Sequence, residues 1–290
     1  MITVSYSEIQ TFRACPHKHQ NAYKERWVSP TTSPALERGT MFHSVLEEHY
    51  MAIRKMQKGK LAADDFADYV YKATAPLLYD KDGAQSEVQD LVSWLYTGYV
   101  EHYSLDSDWA IVATEHDAVV ELPNEKLEPS GLFELKMKID LIIKHKPTGK
   151  LYVVDHKTAA NLPNNLELAL DDQFGLYTWG LRQLGKKIHG SIHNCCRTQR
   201  NKTPGQTLES RHLRSPLYRT DRELDTIAIE AYLTMKRAYD IPKGMAERAP
   251  DTERCRYRCQ YTESCLAGRK GIDERAFMKD LGFKQIFTRH

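Results

Sequence analysis

Two aspartates lie inside apolar segments of the sequence, where a charge is costly unless it is paired or bound to a metal ion. Asp140 interrupts one segment and Asp155 ends the next. Lys157 follows two residues later, so strand alternation directs Asp155 and Lys157 to the same face. Carboxylates that share a divalent ion beside a lysine suit phosphodiester hydrolysis, because the ion activates water and the lysine orients it or neutralises phosphate. These residues alone leave one alternative open, a buried ion pair between Asp155 and Lys157.

Cysteines are the second group that could do chemistry. The six cysteines are Cys15, Cys195, Cys196, Cys255, Cys259 and Cys265. The last three lie within eleven residues, and together with the first they could hold zinc or an iron–sulfur cluster. We expect the adjacent pair in the middle to be buried structural thiols. The N-terminal segment lacks the basic and apolar regions of a signal peptide, so we expect a reducing, cytoplasmic setting in which disulfides are rare.

The overall charge indicates no particular class of partner. The chain has 290 residues, and its 41 lysines and arginines against 39 acidic residues give a net charge of +2. No apolar run reaches the roughly 20 residues that a membrane helix needs. Between residues 186 and 219, one acid, Glu209, accompanies eight basic residues: Lys186, Lys187, Arg197, Arg200, Lys202, Arg211, Arg214 and Arg219. This stretch could contact phosphate groups or form a solvated loop.

The elements that must position these residues follow from hydrophobic periodicity. Helices are predicted over residues 5–23, with a break at Pro16, and over 35–56, 64–79, 84–103, 166–184 and 221–239. Strands are predicted over 111–122, 132–145, 151–156 and 188–197, and the turn signal at 147–150 joins two of them as a hairpin. The polar residues 198–216 predict an irregular loop. We therefore expect a small α/β core with helices from both ends of the chain around it.

Four motifs resemble, in order and spacing, those of the RecB-like nucleases of the PD-(D/E)XK type. They are Gly39-x-x-x-His43-x-x-Leu46-Glu47, Lys138-Ile139-Asp140, Asp155-His156-Lys157 and Gln173-x-x-x-Tyr177. The glycine that usually precedes the first aspartate is missing, and Lys138 stands nearby. This departure leaves Glu134 as an alternative to Asp140 beside the metal ion, with Glu115 as a further acid near the site. The alternation of the strand favours Asp140.

The resemblance implies a restriction-endonuclease-like fold, in which helices flank a small mixed sheet. It also implies one nuclease domain over residues 1–290, with a helical N-terminal part (1–107), an α/β catalytic core (108–200) and a C-terminal cysteine region (201–290). Its ligands for Mg²⁺ or Mn²⁺ would be His43, Asp140, Asp155 and the backbone carbonyl of His156. Asp140 and Asp155 would be catalytic together with the lysine, Lys157.

One helix would supply the contacts to DNA. Gln173 and Tyr177 lie one turn apart, so the resemblance implies that both border the active site and bind DNA. The alternative for Tyr177 is packing into the core.

The cysteine pattern is similar to that of the AddB nuclease domain and the CRISPR-associated RecB-like exonucleases. The similarity implies a 4Fe–4S cluster on Cys15, Cys255, Cys259 and Cys265. The first gap among the C-terminal cysteines has three residues where the family usually has two, which leaves zinc as the alternative. A cluster on these residues would join the two ends of the chain and stabilise it by closing a very long loop.

The resemblance further implies a DNA exonuclease that acts on single strands or duplex ends. No Gly-x-x-x-x-Gly-Lys-Ser/Thr motif of a helicase occurs in the sequence. We therefore expect a nuclease that works alone or with a helicase or another protein of repair, recombination, phage DNA processing or CRISPR adaptation. The alternative is a DNA-binding or assembly protein that keeps the scaffold without catalysis.

Overall fold

The computed structural model describes residues 1–200 and 207–286, so Lys202 of the basic stretch lies outside the described residues. The chain forms two compact units. The terminal unit comprises Met1–Thr32, Glu121–Leu135 and Ala228–His290, and the central unit comprises Ser33–Val120 and Lys136–Ile227. Each unit is assembled from segments that are distant in sequence. The single nuclease domain and its three parts stay a prediction.

A mixed sheet contains the four strands that the sequence predicts, and the described residues form four further strands. The strands are β1 (Ile2–Ser5), β2 (Trp27–Val28), β3 (Trp109–Pro123), β4 (Pro129–His145), β5 (Leu151–Ala159), β6 (Ile188–Arg197), β7 (His212–Leu217) and β8 (Lys284–Gln285). The sheet has the order β1-β4-β5-β6-β7, with β3 paired to β4, and β2 pairs separately with β8. β4 and β5 form the expected antiparallel hairpin, β5 and β6 are parallel, and β6 and β7 are antiparallel. The predicted mixed α/β fold is confirmed.

Eleven α-helices accompany the strands in the described part of the chain. They are α1 (Tyr6–Ala14), α2 (Pro16–His19), α3 (Pro34–Gln57), α4 (Phe66–Leu78), α5 (Glu87–Tyr103), α6 (Asn165–Ala169), α7 (Asp172–Gln183), α8 (Asp221–Asp240), α9 (Thr252–Arg258), α10 (Thr262–Arg269) and α11 (Glu274–Asp280). A π-helical turn, Gln20–Lys24, continues α2. Within the described residues, no helix is both long and apolar enough to cross a bilayer.

The long helices of the central unit begin at strong caps. Ser33 accepts a hydrogen bond from the N–H of Leu36 at the start of α3, and Ser86 and Gln89 form a capping box at the start of α5. The two helices bury Phe42 and Tyr99, among other side chains, against apolar residues of β4, β5 and β6. This packing fixes α3, which carries His43, over one face of the sheet.

Helix α7 lies against the opposite face of β5. Val154 belongs to the core under α3 and α5, whereas the adjacent Asp155 is hydrogen-bonded to Gln173 of α7, so alternation separates the two faces. A Cβ on Gly180 of α7 would lie 2.7 Å from the sulfur of Met137, so the close approach of α7 to β4 depends on glycine at this position.

Two element predictions were wrong. The predicted helix 166–184 is divided into α6 and α7, because the side chain of Asp171 accepts the N–H of Gln173 and caps a new helix. The predicted loop 198–216 ends in strand β7, which pairs with β6. Pro216 in β7 obscured the strand pattern, since proline is tolerated only on an edge strand such as this one.

The terminal unit has its own small core. α1 ends at Ala14 and Pro16 takes the first position of α2, so the predicted helix break is confirmed. The core consists mainly of Trp27, Tyr261, Met278 and Phe283. The pairing of β2 with β8 adds to it.

Candidate active site

An imidazole and two carboxylates converge in the central unit. The ligand atoms of His43, Glu115 and Asp140 lie within 4.8 Å of one another, and His43 Nδ1 is 3.2 Å from Asp140 Oδ2. Across the part of the chain that the structure describes, this is the one group of three or more such ligands that is so closely spaced. Carboxylate oxygens suit Mg²⁺ and Mn²⁺, and one imidazole nitrogen favours the softer Mn²⁺, so this donor set fits the predicted divalent ion.

Asp140 is held from two sides. His43 approaches it from α3, and the backbone N–H of His156 donates to Asp140 Oδ2 at 2.8 Å. Burial alone would raise the pKa of Asp140, but the hydrogen bond and charge of His43 bring that pKa below its usual value. The carboxylate is therefore ionised at neutral pH.

The side chain of His156 anchors β5 rather than facing the carboxylates. It is buried, stacks on the ring of Tyr50 at 5.5 Å, and its Nδ1 lies 2.8 Å from Asn194 Nδ2. Burial lowers the pKa of His156 to about 3, so the imidazole is neutral. A contribution of its backbone carbonyl to a metal site stays a prediction.

Asp155, Lys157 and Gln173 form a closed set of contacts. Lys157 Nζ lies 2.6 Å from Asp155 Oδ2 and donates to Gln173 Oε1 at 3.0 Å, while Gln173 Nε2 donates to Asp155 Oδ1 at 3.1 Å. Burial raises the pKa of Asp155 to about 6. Burial would lower the pKa of Lys157, but the charge of Asp155 raises it to about 12. The ion pair between Asp155 and Lys157, which the sequence analysis considered as an alternative to a metal site, is present. It lies beside Asp140 and is compatible with a metal site there.

Tyr177 lies one turn after Gln173 and is only 7% exposed. Burial raises its pKa, and a hydrogen bond with Gln173 partly offsets this. This geometry favours packing for the ring and a supporting contact to Gln173. A direct contact between Tyr177 and DNA stays a prediction.

The structure separates the two alternative acids. Glu134 accepts a hydrogen bond from Thr3 Oγ1 at 2.6 Å within the terminal unit. Glu115 instead belongs to the group with His43 and Asp140. It reaches that group from the middle of β3, where its backbone has a left-handed φ of 44°. Glu115 was predicted only as a further acid near the site, because no feature of the sequence indicates this irregularity in the strand.

A cavity of about 400 Å³ opens over these residues. Its charged and polar lining comprises Thr40, His43, Ser44, Glu47, Glu115, Lys138, Asp140, Lys157 and Thr158. Glu47 lies one turn after His43 on α3, and burial followed by the nearby charge of Glu115 raises its pKa. The possible metal ligands and the ammonium groups of Lys138 and Lys157 therefore face the same cavity.

The four cysteines predicted to act together line one cavity of about 380 Å³ in the terminal unit. Cys15 caps α2, where its Sγ accepts the N–H of Lys18, and the other three lie on or beside α9 and α10. A tetrahedral zinc site would bring its sulfur atoms to about 3.8 Å from one another, from Zn–S bonds of about 2.3 Å. No three of these sulfurs in the described chain come within 4.8 Å of one another. Cys195 and Cys196 are buried in β6, as predicted.

Several arginines of the basic stretch have partners within the central unit. Arg214 forms a buried ion pair with Asp106. Arg200 pairs with Asp90, and Arg211 lies over the ring of Trp94 at 4.5 Å. These contacts give this part of the stretch a structural role.

A family model described as the PD-(D/E)XK nuclease superfamily matches residues 3–266. No curated protein matches the chain significantly. The chain is similar to a solved structure described as a candidate exonuclease from Eubacterium rectale, with 15% identity, a TM-score of 0.49, and coverage of 88% of this chain and 87% of that one. It is also similar to the protein SSO0001, with 13% identity, a TM-score of 0.43, and coverage of 91% and 86%. Both structures are too distant to bear on activity.

Proposed function

The chain belongs to the PD-(D/E)XK nuclease superfamily, and from this premise we propose that it is a deoxyribonuclease that hydrolyses phosphodiesters with Mg²⁺ or Mn²⁺. One observation carries the proposal. His43, Asp140 and Glu115 gather within 4.8 Å in a cavity that Lys157 also lines. The ligands would be His43, Asp140, Asp155 and the backbone carbonyl of His156. When bound, such an ion activates water and stabilises the charge on phosphate.

Lys157 acts in this proposal as a cation rather than as a base. Its pKa of about 12 means that it keeps its proton at neutral pH. Asp155 and Gln173 fix the ammonium group from two directions, at 2.6 and 3.0 Å, so it can orient a water molecule or neutralise a phosphate oxygen.

The substrate in this proposal is DNA, as single strands or duplex ends, and exonuclease action is favoured over endonuclease action. The support is the resemblance of the four motifs to RecB-like nucleases. Of the two proposed DNA contacts, Gln173 is hydrogen-bonded to Lys157, whereas Tyr177 is buried. Tyr177 would therefore act mainly by supporting Gln173. A helicase or another repair or CRISPR protein would be a fitting partner.

We also propose a 4Fe–4S cluster on Cys15, Cys255, Cys259 and Cys265. Its support is that all four cysteines line one cavity of about 380 Å³ in the terminal unit. A cluster is larger than a single ion and binds thiolates at its corners, so a cavity lined by four thiols suits it. The side chains nearest to it include Arg248, which hydrogen bonds with Cys265 and offsets negative charge on its sulfur.

The function is tested with DNA labelled at the 5′ or the 3′ end, in Mn²⁺ and in EDTA. We expect cleavage only with the metal ion. Asp155→Ala and Lys157→Ala should lower the rate by at least about 100-fold, in the range seen when one preorganised electrostatic group is removed. DNA binding should be largely retained, because phosphate contacts elsewhere dominate affinity.

Lys60→Ala is the matched control, because this lysine is exposed and lies outside both the candidate site and the basic stretch. It should cleave at the wild-type rate. Metal-independent cleavage, or near-normal cleavage by Lys157→Ala, would contradict the assignment. DNA binding without any cleavage by the wild type would instead favour a non-catalytic scaffold.

A further inference from the structure

Lys138 places a second ammonium group at the metal-ligand cluster. Its Nζ lies 2.5 Å from Glu115 Oε2, and it lines the same cavity as Asp140. Lys138 and Asp140 are two residues apart on β4, so both side chains leave the same face of the strand. The lysine side chain is 66% exposed, whereas that of Glu115 is 14% exposed. An exposed cation therefore lies against a mostly buried carboxylate.

A single divalent ion is enough to neutralise the negative charge of the site. Two of its four carboxylates are already paired, Asp155 with Lys157 and Glu115 with Lys138. Asp140 and Glu47 remain, and a neutral imidazole of His43 adds no charge when it acts as a ligand. One divalent cation neutralises these two carboxylates.

The spacing of the carboxylates would otherwise admit a second ion. In two-metal nucleases the ions lie about 3.5–4 Å apart and share ligands. Glu115 and Asp140 have ligand oxygens within 4.8 Å of each other, so they could bridge such a pair. The ammonium of Lys138 takes the position that the second ion would need beside Glu115.

We propose that Lys138 is a built-in counter-ion that replaces a second metal ion, so that the site holds one divalent ion per chain. The inference rests on the proposed metal-dependent function. Lys138 acts through Glu115 and is a positioning residue in this scheme. The ammonium group of Lys138 would then set the number of ions that the site holds.

The test counts Mn²⁺ bound by the full chain, by calorimetry and by electron paramagnetic resonance of free and bound Mn²⁺. Wild type should bind one ion, and Lys138→Ala should bind two, with the spin coupling of a close pair. Lys138→Arg keeps the charge and should bind one. Adding Glu115→Gln to Lys138→Ala should restore one ion, because the second ion loses its carboxylate.

Lys136→Ala is the matched control, since Lys136 is an exposed lysine on the same face of the same strand. It should bind one ion. Two ions in the wild type, or one in Lys138→Ala, would overturn the role of Lys138 while leaving the proposed nuclease intact. A wild-type chain that binds no Mn²⁺ would overturn the proposed metal site itself, and this inference with it.

Discussion

The proton and the metal ion compete for the same nitrogen of His43. Burial alone would lower the pKa of this imidazole, but its hydrogen bond to Asp140 and the charges of Asp140 and Asp155 raise it above 6.5. Without a cation, the imidazole is therefore protonated over part of the neutral range and paired with Asp140. A metal ligand must be deprotonated, so binding of the cation releases this proton.

We therefore expect Mn²⁺ affinity to rise with pH. Below the pKa of His43 the bound proton opposes the ion, and the apparent Kd should fall by up to about 10-fold for each pH unit gained, for one proton released. Asp155, with a pKa of about 6, contributes in the same direction at the acidic end. Calorimetry at pH 6, 7 and 8, in buffers of different ionisation enthalpy, measures both the Kd and the proton release.

His43→Ala should bind Mn²⁺ more weakly and with a shallower dependence on pH. An unchanged slope in this variant would mean that His43 is not a ligand, whatever its distance from Asp140.

The proximity of Asp140, Asp155 and Lys157 is predictable from the sequence, because strand alternation and the short hairpin bring their positions together. Gln173 was readable from the motif on its helix. The position of Glu115 was not, because its left-handed backbone breaks the alternation on which such reasoning depends.

Among the elements, strand β7, which was predicted as part of a loop, carries the mostly buried side chain of Arg214. Arg214 forms an ion pair with Asp106, and its guanidinium lies 3.6 Å from the ring centre of Tyr103 and 4.1 Å from that of Trp109. It also donates to Tyr99 Oη at 3.0 Å. Burial would lower the pKa of Arg214, but the charge of Asp106 and the hydrogen bond to it raise this pKa, so the guanidinium stays charged.

Removing Arg214 should therefore destabilise the central unit strongly. Arg214→Ala leaves Asp106 buried without its partner, which costs about 3–5 kcal/mol for a broken buried pair. Urea unfolding followed by circular dichroism measures the loss. Arg222→Ala, at an exposed position of α8, should stay within about 0.5 kcal/mol of wild type. An equally small loss of unfolding free energy in Arg214→Ala would contradict this expectation. It would mean that water solvates the carboxylate of Asp106 once the arginine is gone.

The sequence predicts the long helices and strands well, and it predicts poorly the short strands that depend on pairing with a neighbour. α3, α5 and β6 carry enough periodic apolar residues to be recognised without knowledge of their neighbours. β7 is six residues long, only half of them apolar, and it forms because β6 offers a free edge for hydrogen bonding. Such a strand is determined by tertiary pairing rather than by local propensity.

At the scale of the molecule, the terminal unit depends on segments from both ends of the chain. Its core is small, with Trp27 contributed by the N-terminal segment and Tyr261, Met278 and Phe283 by the C-terminal one. Polar contacts add to this, since Arg254 donates to the carbonyl of Ala14 at 2.6 Å. A small core that joins distant segments gains most from a cross-link, because the loop that the link closes is very long.

The cysteine cluster should supply that cross-link. Cys15→Ala should lose iron and the brown colour, and should be as damaging as the loss of Cys255, Cys259 or Cys265, because each ligand is needed to hold both ends. The loss of stability should be on the order of 5 kcal/mol, the chain-entropy value for a cross-link that closes a loop of more than about 100 residues. Iron content, visible absorption and thermal unfolding measure the three effects.

Cys195→Ser is the matched control, since Cys195 is buried in β6 and lies outside the cysteine cavity. It should keep full iron and lose only the modest packing energy of a core thiol. Colourless wild-type protein with one zinc per chain would refute the cluster and leave the nuclease proposal standing. Full iron in Cys15→Ala would show that three cysteines suffice, and the joining of the two chain ends would then have to come from Arg254 and the apolar core alone. The unfolding temperature of Cys15→Ala shows whether Cys15 takes part in the cross-link. If it does, the variant should unfold at a lower temperature than the wild type, because a cross-link that closes so long a loop stabilises the fold.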